Sequence, residues 1–183
     1  MDRKSFFTAA SMAFALCAAA GNPLGESIGR QMSDPHLVEW NGRLYMFASH
    51  DHSPENRTFD MRDWRVWSSD DLLRWRLESV LKPEDTYLKR PFKSCWATFG
   101  APFADGWRLY FSAGPEEIGV ASAPTPAGPW RDALARPLVA KGDYPTQSRD
   151  PDILLDDDGA AYIVFGTFRY FIAKLSGDGL SLA

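Results

Sequence analysis

Two Asp-Pro steps are the residues of this chain whose type and placement could do chemistry. Asp34 and Asp150 each precede a proline and open similar segments, residues 33–38 and 149–154, in which an apolar run and a Gly turn follow the carboxylate. Carboxylates at equivalent places of a repeating fold can converge, and a converging pair can share general acid and base work. The alternative is that Asp-Pro only starts a strand. Its repetition at corresponding places favours the functional interpretation.

Three Gly-containing turns show where strands must position these carboxylates. A turn former followed by Gly between apolar runs is the strongest short-range signal for a β-hairpin. The three turns are Asn41-Gly42, Asp105-Gly106 and Asp158-Gly159. A further strand is predicted after each hairpin, and Val66, Val120 and Ile172 align within these strands at intervals of 54 and 52 residues.

A period slightly above fifty residues is typical of a propeller. Each unit contains three or four short strands, and no apolar periodicity of 3.6 residues persists after residue 30, so little helix is expected. A single blade exposes two apolar faces that only neighbouring blades can cover. The sequence therefore predicts an all-β propeller, with a β-sandwich as the second choice, and Asp34 and Asp150 would meet at one mouth of its central channel.

The second repeat offers aromatic residues where the other two offer charge. Trp96 and Phe99 are predicted to stack on a sugar ring, and carboxylates beside aromatic residues indicate a carbohydrate site. Five other tryptophans recur at blade-like positions and are expected to pack between sheets. They are Trp64, Trp67, Trp75, Trp107 and Trp130.

Polar residues near the two carboxylates extend the predicted site. His50 and Asp51, at the end of a strand of the first repeat, are predicted to line the sugar pocket. A polar loop is one alternative, and a metal site at His50 and His52 is another, because alternate residues of a strand face one way. We predict no metal and no cofactor. Arg149 is either an ion-pair partner of Asp150 or a substrate contact, and both place it near the axis.

Together these segments resemble glycoside hydrolase family 43, whose members are five-bladed propellers that cleave arabinose-, xylose- or galactose-containing glycans with inversion. The most specific match is residues 148–166, with Asp-Pro, an apolar stretch, an Asp-Asp-Gly turn, Tyr and a terminal Gly. Residues 33–36 and 41–45 resemble the first blade, and the step at Trp96 resembles the second. The resemblance covers about residues 31–183 and implies that the chain holds the first two and a half blades.

The resemblance also implies a role for each aspartate. Asp34 is expected to be the general base that activates water, and Asp150 the carboxylate that holds and tunes the general acid. The acid of the family is a Glu from a later blade, so it is expected beyond Ala183, and the 183 residues alone are expected to be inactive. Inversion needs about 6.5–9.5 Å between acid and base, and a nearby negative charge keeps the acid protonated near neutral pH.

The sequence is also compatible with two other functions. Arg149-Asp150-Pro151 also resembles the Arg-Asp-Pro motif of retaining, fructan-cleaving propellers, although Ser33 and His36 depart from the Asn-Asp-Pro step with which those enzymes begin. The other possibility is a noncatalytic propeller that binds sugars.

The composition suits an exported carbohydrate enzyme. The 183 residues are 14% aromatic, with a formal net charge of −4 and a pI of about 5.4, which is not the basic footprint of a nucleic-acid-binding protein. Residues 1–20 are predicted to be a bacterial signal peptide with a twin-arginine-like start, and 21–183 an incomplete propeller domain. The expected location is periplasmic or extracellular. The expected partner is an oligo- or polysaccharide, with no membrane contact after signal removal, and the oligomeric state is left open.

Overall fold

A computed structural model describes residues 31–53 and 57–183 of the chain, together with Leu24, Ile28 and Glu55. The predicted signal peptide lies outside the described residues. Within this part of the chain, no helix has the length and apolar character needed to cross a membrane.

The strands form three antiparallel sheets that succeed one another along the chain. The first sheet has the order β1-β2-β3-β4, formed by β1 (Met32–Trp40), β2 (Arg43–Asp51), β3 (Met61–Ser69) and β4 (Arg76–Leu81). A 3₁₀ turn (Pro83–Asp85) leads to the second sheet, formed by β5 (Cys95–Phe103), β6 (Gly106–Ala113), β7 (Glu117–Ala123) and β8 (Arg131–Asp132). The third sheet contains β9 (Asp152–Leu155), β10 (Ala161–Thr167) and β11 (Arg169–Lys174).

The turn chemistry explains how each sheet begins. Asn41 and Gly42 have φ angles of 53° and 75°, and they close a two-residue hairpin in which Trp40 pairs with Arg43. Asn and Gly are the residues that adopt these left-handed angles most readily. The predicted alignment of the third strands is confirmed: Val66, Val120 and Ile172 lie in β3, β7 and β11 of successive sheets.

Apolar side chains fill the two spaces between the sheets. Phe47 and Trp64 of the first sheet pack with Trp107 and Phe111 of the second in one buried cluster. Between the second and third sheets, a second cluster contains, among others, Tyr110, Val120, Ile163 and Phe165. Five tryptophans were expected to pack between sheets, and Trp64, Trp107 and Trp130 do so in the first cluster. The prediction is wrong for Trp67 and Trp75, which are buried but pack with Met46 in a separate cluster that contains no residue of the second sheet.

This arrangement is that of consecutive propeller blades. Strand β5 contacts β1 on one side and β9 on the other, so the first strands of the three sheets lie together. The outward face of the third sheet exposes Tyr170 and Ile172, each at 70%, where a ring would place a further blade. The described residues are thus all-β, as predicted, and they form two four-stranded propeller blades and three strands of a third.

Candidate active site

A cleft beside the first strands brings the two aspartates together. Its volume is about 190 Å³, and it is lined by Asp34, Phe59, Met61, Trp96, Arg149 and Asp150. Four of these residues belong to the predicted site, namely Asp34, Trp96, Arg149 and Asp150. Carboxylates from the first and third blades therefore share one cleft with an aromatic residue of the second.

A β-bulge positions Asp34. Ser33 pairs with Ser49 and His36 with Phe47, so Asp34 and its proline together oppose a single residue of β2. A bulge of this kind redirects side chains, and proline fits it because it has no N–H to donate to the sheet. Asp34 has a φ of 52°, in the left-handed region that Asp tolerates better than most residues.

A hydrogen bond between blades positions Asp150. Its φ is 55°, and its backbone N–H donates to Ser112 Oγ of β6 at 2.9 Å. The preceding carbonyl of Arg149 accepts a bond of 3.0 Å from the N–H of Gly166 on β10. The Asp-Pro step is therefore held by its own blade and by the neighbouring one.

The side chain of Arg149 connects three parts of the cleft. Its Nε donates to Thr167 Oγ1 at 2.6 Å and lies 3.7 Å from Oδ2 of Asp150. Its guanidinium carbon lies 5.5 Å from the ring centre of Trp96, a cation–π distance. Arg149 is thus an ion-pair partner of Asp150, and it stabilises the orientation of the Trp96 ring.

The electrostatic surroundings of the two carboxylates differ. Partial burial raises the pKa of Asp34, and the negative charges of Asp150 and Asp51 raise it further. Partial burial also raises the pKa of Asp150, but the positive charge of Arg149 opposes that rise. Solvent still reaches both side chains. Asp34 therefore holds a proton more readily than a free aspartate does, which suits a group that must accept one.

His50 and Asp51 lie outside the residues that line the cleft. His50 is 5% exposed, with Nδ1 at 3.1 Å from Asp63 Oδ2 and Nε2 at 3.3 Å from Gln31 Oε1. Asp51 is 6% exposed and accepts bonds from the N–H and the hydroxyl of Ser53 at 2.7 and 2.6 Å. Asp51 reaches the cleft through its charge on Asp34, and the direct sugar contact of both residues stays a prediction.

The aromatic surface of the cleft differs in one residue from the predicted one. Phe99 stacks on His36, with ring centres 3.5 Å apart, and packs against the core between the second and third blades. Phe59 lines the cleft instead, 72% exposed, with its ring edge-on to Trp96 at 6.1 Å. Phe59 lies in the loop just before β3, and this loop places it at the mouth of the cleft. The loop is not part of the sequence repeat, so the repeat could not predict this residue.

The alternative metal site at His50 and His52 has a third candidate ligand, Asp63, but the cation Arg65 lies beside it. Ligand atoms of His50, His52 and Asp63 lie within 4.8 Å of one another. The Oδ1 atom of Asp63 already accepts a 2.7 Å bond from Arg65 Nε, and its Oδ2 atom faces His50. The positive charge of Arg65 opposes a second cation at this place.

Comparison with known proteins identifies the family. The family model for glycosyl hydrolases family 43 matches residues 22–183. A xylosidase/arabinosidase of Humicola insolens is 35% identical over 148 residues, which are 73% of this chain and 43% of that protein. A β-D-galactofuranosidase of Aspergillus niger is 28% identical over 176 residues, 89% of this chain and 50% of that protein.

The fold comparison agrees with the sequence comparison. The structure of an α-L-arabinofuranosidase from Clostridium thermocellum matches with a TM-score of 0.67 and 29% identity, covering 89% of this chain and 58% of that one. The chain thus spans about half the length of the relatives it matches. Because the family model covers nearly all of the chain, and because the blades and the paired Asp-Pro steps agree with it, this protein belongs to glycosyl hydrolase family 43.

Proposed function

We propose that this chain supplies the base side of the active site of an inverting glycosidase that cleaves arabinose-, xylose- or galactose-containing glycans. One observation carries the proposal: Asp34 and Asp150, from repeats 116 residues apart in sequence, line the same cleft with Trp96. The names of the relatives, a xylosidase/arabinosidase, an arabinofuranosidase and a galactofuranosidase, support these sugars.

Asp34 is the general base in this proposal. Its carboxylate accepts a proton from a water molecule while the water oxygen bonds to the anomeric carbon on the face opposite the leaving group. The glycosidic C–O bond breaks, and the leaving oxygen takes a proton from a general acid, which the family resemblance assigns to a Glu of a later blade. A single displacement of this kind inverts the anomeric configuration.

Asp150 is the residue that orients and tunes that acid. A carboxylate beside a second carboxyl group raises the pKa of its neighbour, which keeps the acid protonated at neutral pH. Arg149 favours the ionised form of Asp150, because its guanidinium opposes the effect of burial on the Asp150 pKa. Trp96 and Phe59 offer ring surfaces on which the sugar can stack.

The test is product analysis with the full-length protein. Aryl arabinofuranosides, xylosides and galactofuranosides would be incubated with the enzyme, and the first-formed anomer would be followed by proton NMR. Release of the inverted sugar supports the proposal. Release of the retained anomer would favour a furanosidase of the fructan-cleaving kind, and binding without turnover would favour a noncatalytic sugar-binding propeller.

We also propose that the protein is exported. The proposal rests on the basic and apolar pattern of residues 1–20. Expression in a bacterium, cell fractionation and N-terminal sequencing of the mature protein would test it, and an uncleaved protein in the cytoplasm would contradict it.

A further inference from the structure

A second and larger pocket opens in the first two blades. Its volume is about 600 Å³, within the range of small-molecule sites. Its lining includes three cationic side chains, one carboxylate and apolar ring surface, from Arg62, Arg90, Lys93, Glu84, Pro91 and Phe92. The proposed reaction uses none of these residues.

This pocket lies beside the catalytic cleft. Met61 lines the cleft, and the next residue, Arg62, lines the pocket. The Met61 N–H donates to the carbonyl of Lys93 at 3.0 Å, and Met61 forms an isolated parallel bridge with Ser94. The start of β3 and the segment before β5 therefore form a shared wall. Met61 of this wall lines the cleft, whereas Arg62, Lys93 and Ser94 line the pocket.

The pocket carries more positive than negative charge. Arg62 pairs with Asp60 at 2.8 Å. Within the described ranges, Arg90 and Lys93 form no ion pair with a carboxylate, and Arg90 lies over the ring of Phe92 at 5.6 Å. Glu84 lines the pocket and the charge of Lys93 also acts on Asp60, so these two carboxylates offset part of the charge of the three cations. An excess of positive charge at one pocket is notable because the chain as a whole carries a formal charge of −4.

We propose that this pocket is a subsite for a uronic acid branch of the glycan whose neutral sugar occupies the catalytic cleft. The inference rests on the proposed function and names its substrate more narrowly, as an acidic glycan. A uronic acid combines a carboxylate, which Arg90 and Lys93 bind through charge-assisted hydrogen bonds, with a ring whose apolar face packs on Phe92 and Pro91. The shared wall places this subsite beside the cleft in which the neutral sugar would bind.

The first experiment compares two oligosaccharides of equal length, with and without a glucuronic acid branch, as substrates of the full-length protein. Because two cations can bind the carboxylate of the branch, we expect kcat/KM to be about tenfold higher for the acidic substrate. The double variant Arg90→Gln and Lys93→Gln should abolish this preference and leave turnover of the neutral substrate unchanged. Unchanged neutral turnover also shows that the variant is folded.

Lys89→Gln is the matched control, because Lys89 is exposed in the same segment but does not line the pocket. It should keep the full preference. The preference of the wild-type protein for the acidic substrate should also decline as the salt concentration rises from about 0.05 to about 0.5 M. The pocket is open to solvent, so salt screens its charges. A preference that survives the double variant, or equal rates on the two substrates in the wild type, would overturn the subsite while leaving the proposed glycosidase activity intact.

A binding experiment separates the subsite from the reaction. Methyl glucuronoside, methyl xyloside and inorganic phosphate would be titrated into the Asp34→Asn variant and followed by NMR. Binding of the glucuronoside that the double variant loses supports the subsite, even where no substrate is cleaved and the proposed function has failed. Phosphate binding as tight as glucuronoside binding would overturn a sugar subsite and indicate a general anion pocket.

Discussion

The two Asp-Pro steps begin from the same local structure and end in different surroundings. Asp34 and Asp150 have φ angles of 52° and 55°, and partial burial raises the pKa of both. The charges that act on Asp34 are negative, from Asp150 and Asp51, whereas the charge that acts on Asp150 is the guanidinium of Arg149. Both pKa values therefore lie above that of a free aspartate, but neighbouring charges add to the rise at Asp34 and oppose it at Asp150.

The largest effect is expected from removing the proposed general base. Asp34→Asn keeps the shape of the side chain, and Asn tolerates the left-handed φ, but the amide cannot accept a proton from water. We expect kcat on an aryl glycoside to fall by about 10²–10⁴-fold in the full-length protein, with an unchanged circular dichroism spectrum. The control is Asp70→Asn, an exposed carboxylate paired with Arg43. A variant that keeps more than about half of the wild-type kcat would show that Asp34 is not the base.

A smaller loss of activity, with a distinctive pH signature, is expected from Asp150→Asn. Loss of this negative charge lowers the pKa of Asp34, so the acid limb of the pH–rate profile should move to lower pH. The alkaline limb should also move down, because the general acid loses the charge that keeps it protonated. We expect kcat to fall by about tenfold, the factor that corresponds to 1.4 kcal/mol. If the alkaline limb stays in place or rises, the tuning charge belongs to another residue.

Changing Arg149 should move the acid limb in the opposite direction. Without the guanidinium, burial alone acts on Asp150 and its pKa rises. Because Asp150 must also be ionised to tune the acid in the proposed mechanism, Arg149→Gln should shift the acid limb to higher pH. The ion pair is partly exposed to solvent, so kcat at neutral pH should fall by no more than about fivefold. Arg149→Lys retains the charge and should restore the limb. A limb unmoved by Arg149→Gln would mean that the pair does not tune Asp150.

The smallest expected effect concerns stability. The raised pKa of Asp34 means that the folded protein keeps the proton where the unfolded chain has lost it, so this carboxyl costs stability as pH rises through that range. Asp34→Asn should therefore raise the unfolding midpoint at pH 7, and because solvent screens this exposed carboxyl the rise should be at most about 2 °C. The difference should vanish at pH 3. Calorimetry at both values tests this, and a variant less stable than wild type at pH 7 contradicts it.

The sequence predicts the hairpins and the repeated sheets, because both depend on residues that are close together in the chain. Asn41-Gly42 closes a hairpin because these residues adopt positive φ at little cost, and the recurrence of Val66, Val120 and Ile172 marks three sheets of one kind. Repeated units must cover each other's apolar faces, so the period also predicts that the Asp-Pro steps converge. Turn type and period are properties of short segments, and a sequence displays them directly.

Contacts between segments decided the rest. A bulge between Trp96 and Thr98 shifts the register of β5, and a one-residue shift changes which face a side chain meets, so the sequence alone did not place Phe99 against His36. Phe59 entered the cleft because its loop opens beside Trp96. The sequence by itself identified Asp34, Asp150, Arg149 and Trp96 as site residues. Their pKa values and contacts depend on residues that are distant in sequence, because burial and electrostatic interaction depend on distance in space.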